Sequence, residues 1–418
     1  MTSKNNTQDT CIIVGASHSG VNLAFSLRKE GYAGSIKLID SDHNVPYPRP
    51  PLSKTHLVSD EPVGQLLKPL QGYANAQITL TLGVKVVDVN RENKNVTLSD
   101  GTLHTYTDLV LATGASPIIP PITGIKDAHN LFTIRNADDT QAIASAFKAS
   151  EHKRIVVIGG GYVGLETAAS LRKCGANVTV LERESRLLAR VTAPYMSDYF
   201  YALHQNNGVA IYNDQNVSKI RTRDHVNTVV CSDGSQYQAD IIIVGVGVRV
   251  NTALAVKAEL TIDNGIVVNE CNQTSDKNIF AIGDCCAQFN THYQRWLRLE
   301  SVQNALDQAK VAAAVICGKP PKSNPVPWFW SDQYAVKLQM VGLSQGYDNV
   351  ILRTETDKPD SFSVWYFKGS ELLAVDAVNH AKAYVLGTKY INNSAEIDKN
   401  KLGDNTVVLN AAVLKVPN

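Results

Sequence analysis

Two short stretches hold residue types that bind nucleotide phosphates. Gly159-x-Gly161-x-x-Gly164, in "VVIGGGYVGLETAA", follows an apolar run and precedes a helical pattern. That is the context in which three spaced glycines form a dinucleotide-binding turn. The first glycine makes the bend, the second lets the backbone approach a pyrophosphate, and the third lets the helix pack against the strand. Tyr162 and Val163 belong to the same turn, and the helix N-terminal amides behind it hold phosphates. Glu182 closes the next strand, 23 residues after Gly159. A carboxylate there accepts both ribose hydroxyls and repels a 2′-phosphate, so NADH is expected to be preferred over NADPH. Arg183 next to it weakens that preference.

The stretch "IIVGASHSGVNLAF" repeats the plan with one departure, because Ser17 stands at the middle position of Gly15-x-Ser17-x-x-Gly20. Serine is small, and its hydroxyl can itself meet a phosphate. Asp40 lies 25 residues after Gly15, where a ribose acceptor belongs, with Ser41 as the neighbouring candidate. Ala112–Gly114 ("ATG") and Gly283–Asp284 ("GD") end two further apolar strands, and Gly247 ends "ADIIIVGVG". Two dinucleotide turns in one chain imply a hydride passed from one nucleotide to another.

These residues must be held by repeated strand–turn–helix–strand units. "RIVVIGGGYVGLETAASLRKCGANVTVLER" is one βαβ unit of 30 residues. The earlier unit runs from Ile12 through "SIKLID" and then enters a proline-rich loop, "NVPYPRPPLSK", which excludes regular helix and central strand. "DLVLATGASP" and "ADIIIVGVG" are matching buried strands. After about Trp328 the character changes to "AVKLQMVG", "FSVWYFKG" and "LLAVDAVN", which read as a separate α+β domain behind the linker "KPPKSNPVP".

At 418 residues the chain needs two or three domains. A hydrophobic share of 44%, a charged share of 19% and a net charge of +1 describe a globular protein with no global pull toward nucleic acid or membrane. No apolar run reaches the roughly 18 residues of a membrane span. The polar start "MTSKNNTQDT" lacks the apolar middle of a signal peptide, so a cytoplasmic protein is expected. Seven scattered cysteines include no C-x-x-C pair, and adjacent Cys285 and Cys286 are expected to be buried free thiols.

Several motifs resemble one family. "RPPLSK", "GGGYVGLE", "AIGDC", "RLESVQNA" and "PWFWSDQY" are similar to the FAD-dependent ferredoxin reductases of bacterial P450 and dioxygenase systems, over Cys11 to about Asp376. The resemblance implies an α/β, glutathione-reductase-like flavoprotein: two Rossmann-type domains plus a C-terminal α+β interface domain. The expected spans are 1–118 and 247–328 for FAD, 119–246 for NADH and 329–418 for the interface domain. The last domain would cover the flavin and help dock a [2Fe-2S] ferredoxin. FAD contacts carried over by motif are Gly15, Ser17, Ser19, Gly20, Asp40, Arg49, Lys54, Val86, Thr113, Arg135, Asp284 and Val302. Arg49 and Arg135 offer cationic forks to phosphate, Asp284 the ribityl hydroxyls an acceptor, and Val302 a helix N-terminus to the pyrimidine edge.

The resemblance also implies that Lys54 and Glu166 pair beside flavin N5, and that Glu300 faces the nicotinamide carboxamide. Trp330 would lie by the isoalloxazine at the ferredoxin face, while Trp328 and Phe329 read as core packing. His18 reads as a turn residue on the pyrophosphate path. Arg295, Arg298, Lys310 and Lys337 are candidates for a local basic surface that attracts an acidic ferredoxin. A transient electrostatic complex and a monomer or weak homodimer are expected. The chain departs from the family at Ser17, Ser19 and Val250, and Asp40 comes one position early.

Two other classes remain. Disulfide and peroxide reductases need a reactive cysteine in the region of "PYPRPPLSK", which has none. A slow flavoprotein like apoptosis-inducing factor, acting as a binding module, would carry a targeting segment and long insertions. Rubredoxin as acceptor is a closer rival that the sequence leaves open.

Overall fold

The computed structural model describes residues 6–58, 64–321, 326–355 and 358–414. Parts of the N-terminal stretch and of the "KPPKSNPVP" linker lie outside these residues. Two compact units emerge, 1–49 with 63–116 and 248–325, and 50–62 with 117–247 and 326–418. This division differs from the expected spans. Residues 50–62, 117–118, Gly247 and 326–328 group with the second unit rather than with the expected FAD spans, and the C-terminal segment joins that unit instead of standing alone.

The first unit is built on a five-stranded sheet in the order Ile279–Ala281, Asp108–Leu111, Thr10–Val14, Ser35–Ile39, Ile78–Thr81. Every pairing in it is parallel. Cys11, Ile12 and Ile13 of the central strand are fully buried, as a parallel strand covered on both faces requires. Helix His18–Glu30 and helix Val302–Ile316 pack against each other and share one apolar cluster with Ile13, Val110 and Phe280. A three-stranded antiparallel meander, Val86–Asn90, Asn95–Leu98 and Leu103–Thr105, adds its own core face.

The second unit repeats this arrangement. Its parallel sheet runs Ala210–Tyr212, Asn177–Leu181, Arg154–Ile158, Ile241–Val244, Leu131–Phe132. Here too a meander, Val217–Arg223, Val226–Cys231 and Gln236–Ala239, precedes the strand that rejoins the sheet. In each sheet the strand before the glycine turn is central, flanked on one side by the strand that follows its helix and on the other by a later one. That reversal point is where open α/β sheets bind ligands.

The same unit includes a five-stranded antiparallel sheet, ordered Trp328–Gln333, Val336–Gly342, Glu371–Val378, Lys358–Lys368, Asn349–Glu355, with helix Ala381–Asn392 on one face. Phe329 packs against the core of the second nucleotide-type half, and Trp328 against the core under the C-terminal helices. The strand's alternation sends Ser331 and Gln333 to the buried side, while Trp330 and Asp332 are half-buried. The proline-rich loop ends in a short 3-10 helix, Pro50–Ser53. All seven cysteines are free. Among the described residues, no helix is long and apolar enough to cross a membrane.

Candidate functional site

The first turn is fixed by the chain's own sterics. Gly15 sits at φ +109 and its amide donates to the Ile39 carbonyl at 2.8 Å. A Cβ on Gly20 would collide with the Gly15 carbonyl oxygen, so the helix approaches the strand as closely as only glycine permits. Ser17 is the N-cap of that helix, in extended backbone geometry. Asp40 Oδ2 accepts from the Ala16 amide at 2.5 Å and Oδ1 from the Asp42 amide at 2.9 Å.

The second turn repeats this pattern of contacts. Gly159 sits at φ +110, and a Cβ on Gly164 would collide with the Gly159 carbonyl oxygen. Glu182 Oε2 accepts from the Gly160 amide at 2.6 Å and Oε1 from the Glu184 amide at 2.8 Å. Asp40 and Glu182 are therefore structural equivalents, and Ser41 is an exposed neighbour. Arg183 turns outward to pair with Glu184 at 2.8 Å.

Gly161 differs from its neighbours. Its φ of −81 is open to any residue, and a Cβ built there meets no atom within 4 Å. Among the described residues nothing requires glycine at this position. The space it leaves lies over the N-terminal amides of helix Tyr162–Lys173, where a pyrophosphate must come close to the backbone. The residues thus fit a dinucleotide in the second turn, and the matching first turn fits one with serine at the phosphate. Val163 is 48% exposed, Tyr162 donates its hydroxyl to Met340 Sδ at 2.9 Å, and the Gly247 carbonyl accepts from the Ile118 amide at 3.0 Å.

Other residues of the first unit converge on its turn. Arg49 donates to Ser17 Oγ at 3.4 Å, bonds the Tyr47 hydroxyl at 2.5 Å and pairs with Asp42 at 3.3 Å. Burial pushes the Asp42 carboxyl up, but donors from Asn44 and Tyr47 and the Arg49 charge outweigh it and hold it below the usual range. The Ala112–Gly114 turn is pinned by Asn251, whose backbone oxygen accepts from Thr113 Oγ1 at 2.7 Å and whose amide returns a bond at 2.9 Å. Gly283 lies against Ser19, and its amide donates to Gln308 Oε1 at 2.7 Å. This clamps the turn bearing Asp284 to the helix that Val302 opens. Ser301 caps that helix by accepting from the Asn304 amide at 3.1 Å.

The other expected contacts have these surroundings. Val86 is buried in the apolar cluster with Val14 and Leu98. Arg135 belongs to the second unit, where it precedes the Asn136 capping box of helix Ala137–Ala149. Exposed Glu300 pairs with Arg298 at 2.5 Å. Of the basic candidates, Arg295 is half-buried against Tyr293, Arg298 pairs with Glu300, Lys310 pairs with Asp307, and Lys337 is exposed in the second unit.

Lys54 and Glu166, 112 positions apart in the chain, meet inside the second unit. Lys54 Nζ lies 2.9 Å from Glu166 Oε2, with side chains 18% and 6% exposed. Ser53 Oγ donates to the same oxygen at 2.6 Å, and Ser331 Oγ to Oε1 at 2.6 Å. A buried carboxylate needs such saturation, since an unpaired charge there is costly. Sequence reasoning found the pair and missed both serines; the quoted "PPLSK" and "FWSDQ" contain them, but nothing local marks them as partners.

Residues 9–309 match the family described as pyridine nucleotide-disulphide oxidoreductase, and residues 328–413 match its reductase C-terminal domain. The chain belongs to this family. The oxidoreductase is 42% identical to putidaredoxin reductase CamA of Pseudomonas putida, over 97% of this chain and 96% of that one. It is 36% identical to a rubredoxin-NAD(+) reductase of Pseudomonas putida, over 89% and 96%. The crystal structure of the covalent putidaredoxin reductase–putidaredoxin complex superposes with a TM-score of 0.91 at 41% identity, covering 97% and 98%. This oxidoreductase is a flavoprotein that works with FAD and a nicotinamide nucleotide.

Proposed function

We propose that this oxidoreductase is an NADH-dependent ferredoxin reductase of the cytoplasm. In this reading the Gly15–Gly20 turn holds FAD and the Gly159–Gly164 turn holds NADH. The electron acceptor is a [2Fe-2S] ferredoxin that serves a P450 or a ring-hydroxylating oxygenase. The carrying observation is the ion pair of Glu166 with Lys54, whose segment is the one where disulfide-reducing members of the plan need a cysteine and this chain has none. With no thiol there, electrons leave the flavin by another route. The relative named putidaredoxin reductase, and the solved complex with putidaredoxin, support a ferredoxin at the end of that route.

Bound FAD supplies hydride acceptance and one-electron release. The protein supplies orientation and charge. The amides of the two turns hold pyrophosphates; Asp40 and Glu182 hold the riboses; Arg49 places a guanidinium at the first turn. Lys54 Nζ carries its protons against Glu166 Oε2, a fixed positive charge for the atom that receives the hydride. Glu300 is assigned to the carboxamide, Trp330 to the ferredoxin face and Asp284 to the ribityl chain. The free thiols agree with a reducing compartment, and the chain is assigned as a monomer or weak homodimer.

An anaerobic titration tests this reading. A yellow protein bleached near stoichiometrically by NADH and poorly by NADPH is expected, with rapid recolouring by a [2Fe-2S] ferredoxin. Absence of bound flavin, or a reduced form that ferredoxin does not reoxidise, would overturn it. The relative named rubredoxin reductase supports one second reading, and faster recolouring by rubredoxin than by ferredoxin would select it.

A further inference from the structure

A chain of buried polar side chains runs from Glu166 to a histidine that the reading above does not use. Ser331 Oγ, 2.6 Å from Glu166 Oε1, also accepts from Gln333 Nε2 at 3.1 Å. Gln333 Oε1 lies 2.8 Å from His204 Nε2. Ser331 and Gln333 are each 1% exposed and His204 is 0% exposed. His204 sits on helix Pro194–Asn206, and the two others share the buried side of strand Trp328–Gln333.

The direction of every bond follows from what each group can give. A carboxylate only accepts, so Ser331 spends its one hydrogen on Glu166. The Ser331 oxygen then accepts from the Gln333 amide nitrogen, which turns the amide oxygen to His204. An amide oxygen only accepts, so His204 carries its hydrogen on Nε2 and leaves Nδ1 bare. Nδ1 is buried and has no hydrogen-bond partner among the described residues, which agrees with the neutral tautomer. Burial also lowers the His204 pKa, a shift that the Gln333 bond only partly opposes.

We propose that His204 is a positioning residue for the Glu166–Lys54 pair. Its Nε2–H sets the orientation of the Gln333 amide, which sets Ser331 as a donor to Glu166 and so fixes the carboxylate that holds Lys54. Without that N–H the amide can turn over and present its oxygen to Ser331. Ser331 then donates to Gln333 instead, and Glu166 keeps only Ser53 and Lys54, both on Oε2. Its Oε1 is left buried and unsatisfied, so the carboxylate rotates and carries the ammonium with it. The inference rests on the proposed role of the pair in hydride transfer.

Stopped-flow reduction of the holoenzyme by NADH under anaerobic conditions tests it, with H204F, H204Q, S331A, H204F/S331A and K54M compared at equal flavin content. K54M is expected to lower the limiting rate by more than about tenfold, and H204F and S331A each by roughly three- to tenfold. The double variant should be no slower than S331A. The NADH dissociation constant should stay unchanged throughout. Glutamine places an N–H near the histidine Nε2, so H204Q should restore the rate to within about twofold.

A wild-type rate in K54M sinks the role of the pair itself. A slow K54M with a wild-type H204F sinks the positioning proposal alone. Equal slowing in H204F and H204Q, or additive losses in the double variant, reduces His204 to a packing residue and overturns the proposal. If H204F fails to hold flavin, Q333M removes the amide instead and is read against the same expectations.

Discussion

Glu182 and Asp40 do the same work in the two turns, each bridging a turn amide and an amide two residues on. In the proposed reading their carboxylates receive ribose hydroxyls, and the charge of Glu182 discriminates against a 2′-phosphate. Replacing Glu182 by Ser should reduce the ratio of kcat/KM for NADH over NADPH by roughly tenfold or more, about 1.4 kcal/mol. Steady-state ferricyanide reduction with each nucleotide measures this, and an unchanged ratio would remove Glu182 as selector.

A second carboxylate matters for stability. Asp376 is buried, and burial raises its pKa from 3.8 to about 6 despite donors at 2.6 Å from Tyr366 and 2.7 Å from Thr192. The folded state therefore binds this proton more tightly than the unfolded state. Its stabilising contribution is complete below about pH 4 and is lost as the pH rises through about 6. At neutral pH the difference is on the order of 3 kcal/mol. Asp376→Asn keeps an acceptor for both hydroxyls without the charge. It should raise stability in urea melts at pH 7.5 relative to wild type and give no such gain at pH 4; equal differences at both pH values would refute this.

At the scale of elements, the two glycine turns separate what packing demands from what a ligand demands. Gly164→Ala forces a Cβ onto the Gly159 carbonyl and should destabilise the second unit by about 1–3 kcal/mol. Gly161→Asp should do the reverse, because open space receives the side chain and aspartate is a favourable N-cap. Its charge faces the pyrophosphate path, however, so the KM for NADH should rise by at least about tenfold in a stable, flavin-loaded protein. Thermal melts beside NADH kinetics distinguish the pair, and a Gly161→Asp variant with normal KM would place the nucleotide elsewhere. The strand Trp328–Gln333 shows the same division of labour through its alternation, with Ser331 and Gln333 serving Glu166 and Trp328 and Phe329 serving two cores.

For the whole molecule, a net charge of +1 gives no global field to steer a partner, so the proposed attraction of an acidic ferredoxin would have to come from local groups. Ionic strength tests that. Between about 0.01 and 0.15 M salt the screening length falls from roughly 30 to 8 Å. The kcat/KM for ferredoxin should fall several-fold over this range, while NADH–ferricyanide turnover at saturating NADH holds. A salt-independent ferredoxin reaction would replace electrostatic docking by an apolar one.

The sequence by itself determined both nucleotide turns, the parallel strands around them, the change of architecture near Trp328 and the acidic residue at the end of each second strand. All of these follow from residues a few positions apart, where periodicity and glycine sterics act locally. It also placed Lys54 and Glu166 together, but only through resemblance. The equivalence of Asp40, rather than Ser41, to Glu182 needed the structure, since both candidates have suitable oxygens and only one faces the turn amide. The grouping of 50–62 with the second unit needed it too, because Ser53, Lys54 and Leu57 find their partners in that unit. Ser53, Ser331, Gln333 and His204 were invisible for the same reason. Their bonds join residues 113, 165 and 129 positions apart, and only tertiary packing, by burying a charge that must then be satisfied, decides which distant donors become its partners.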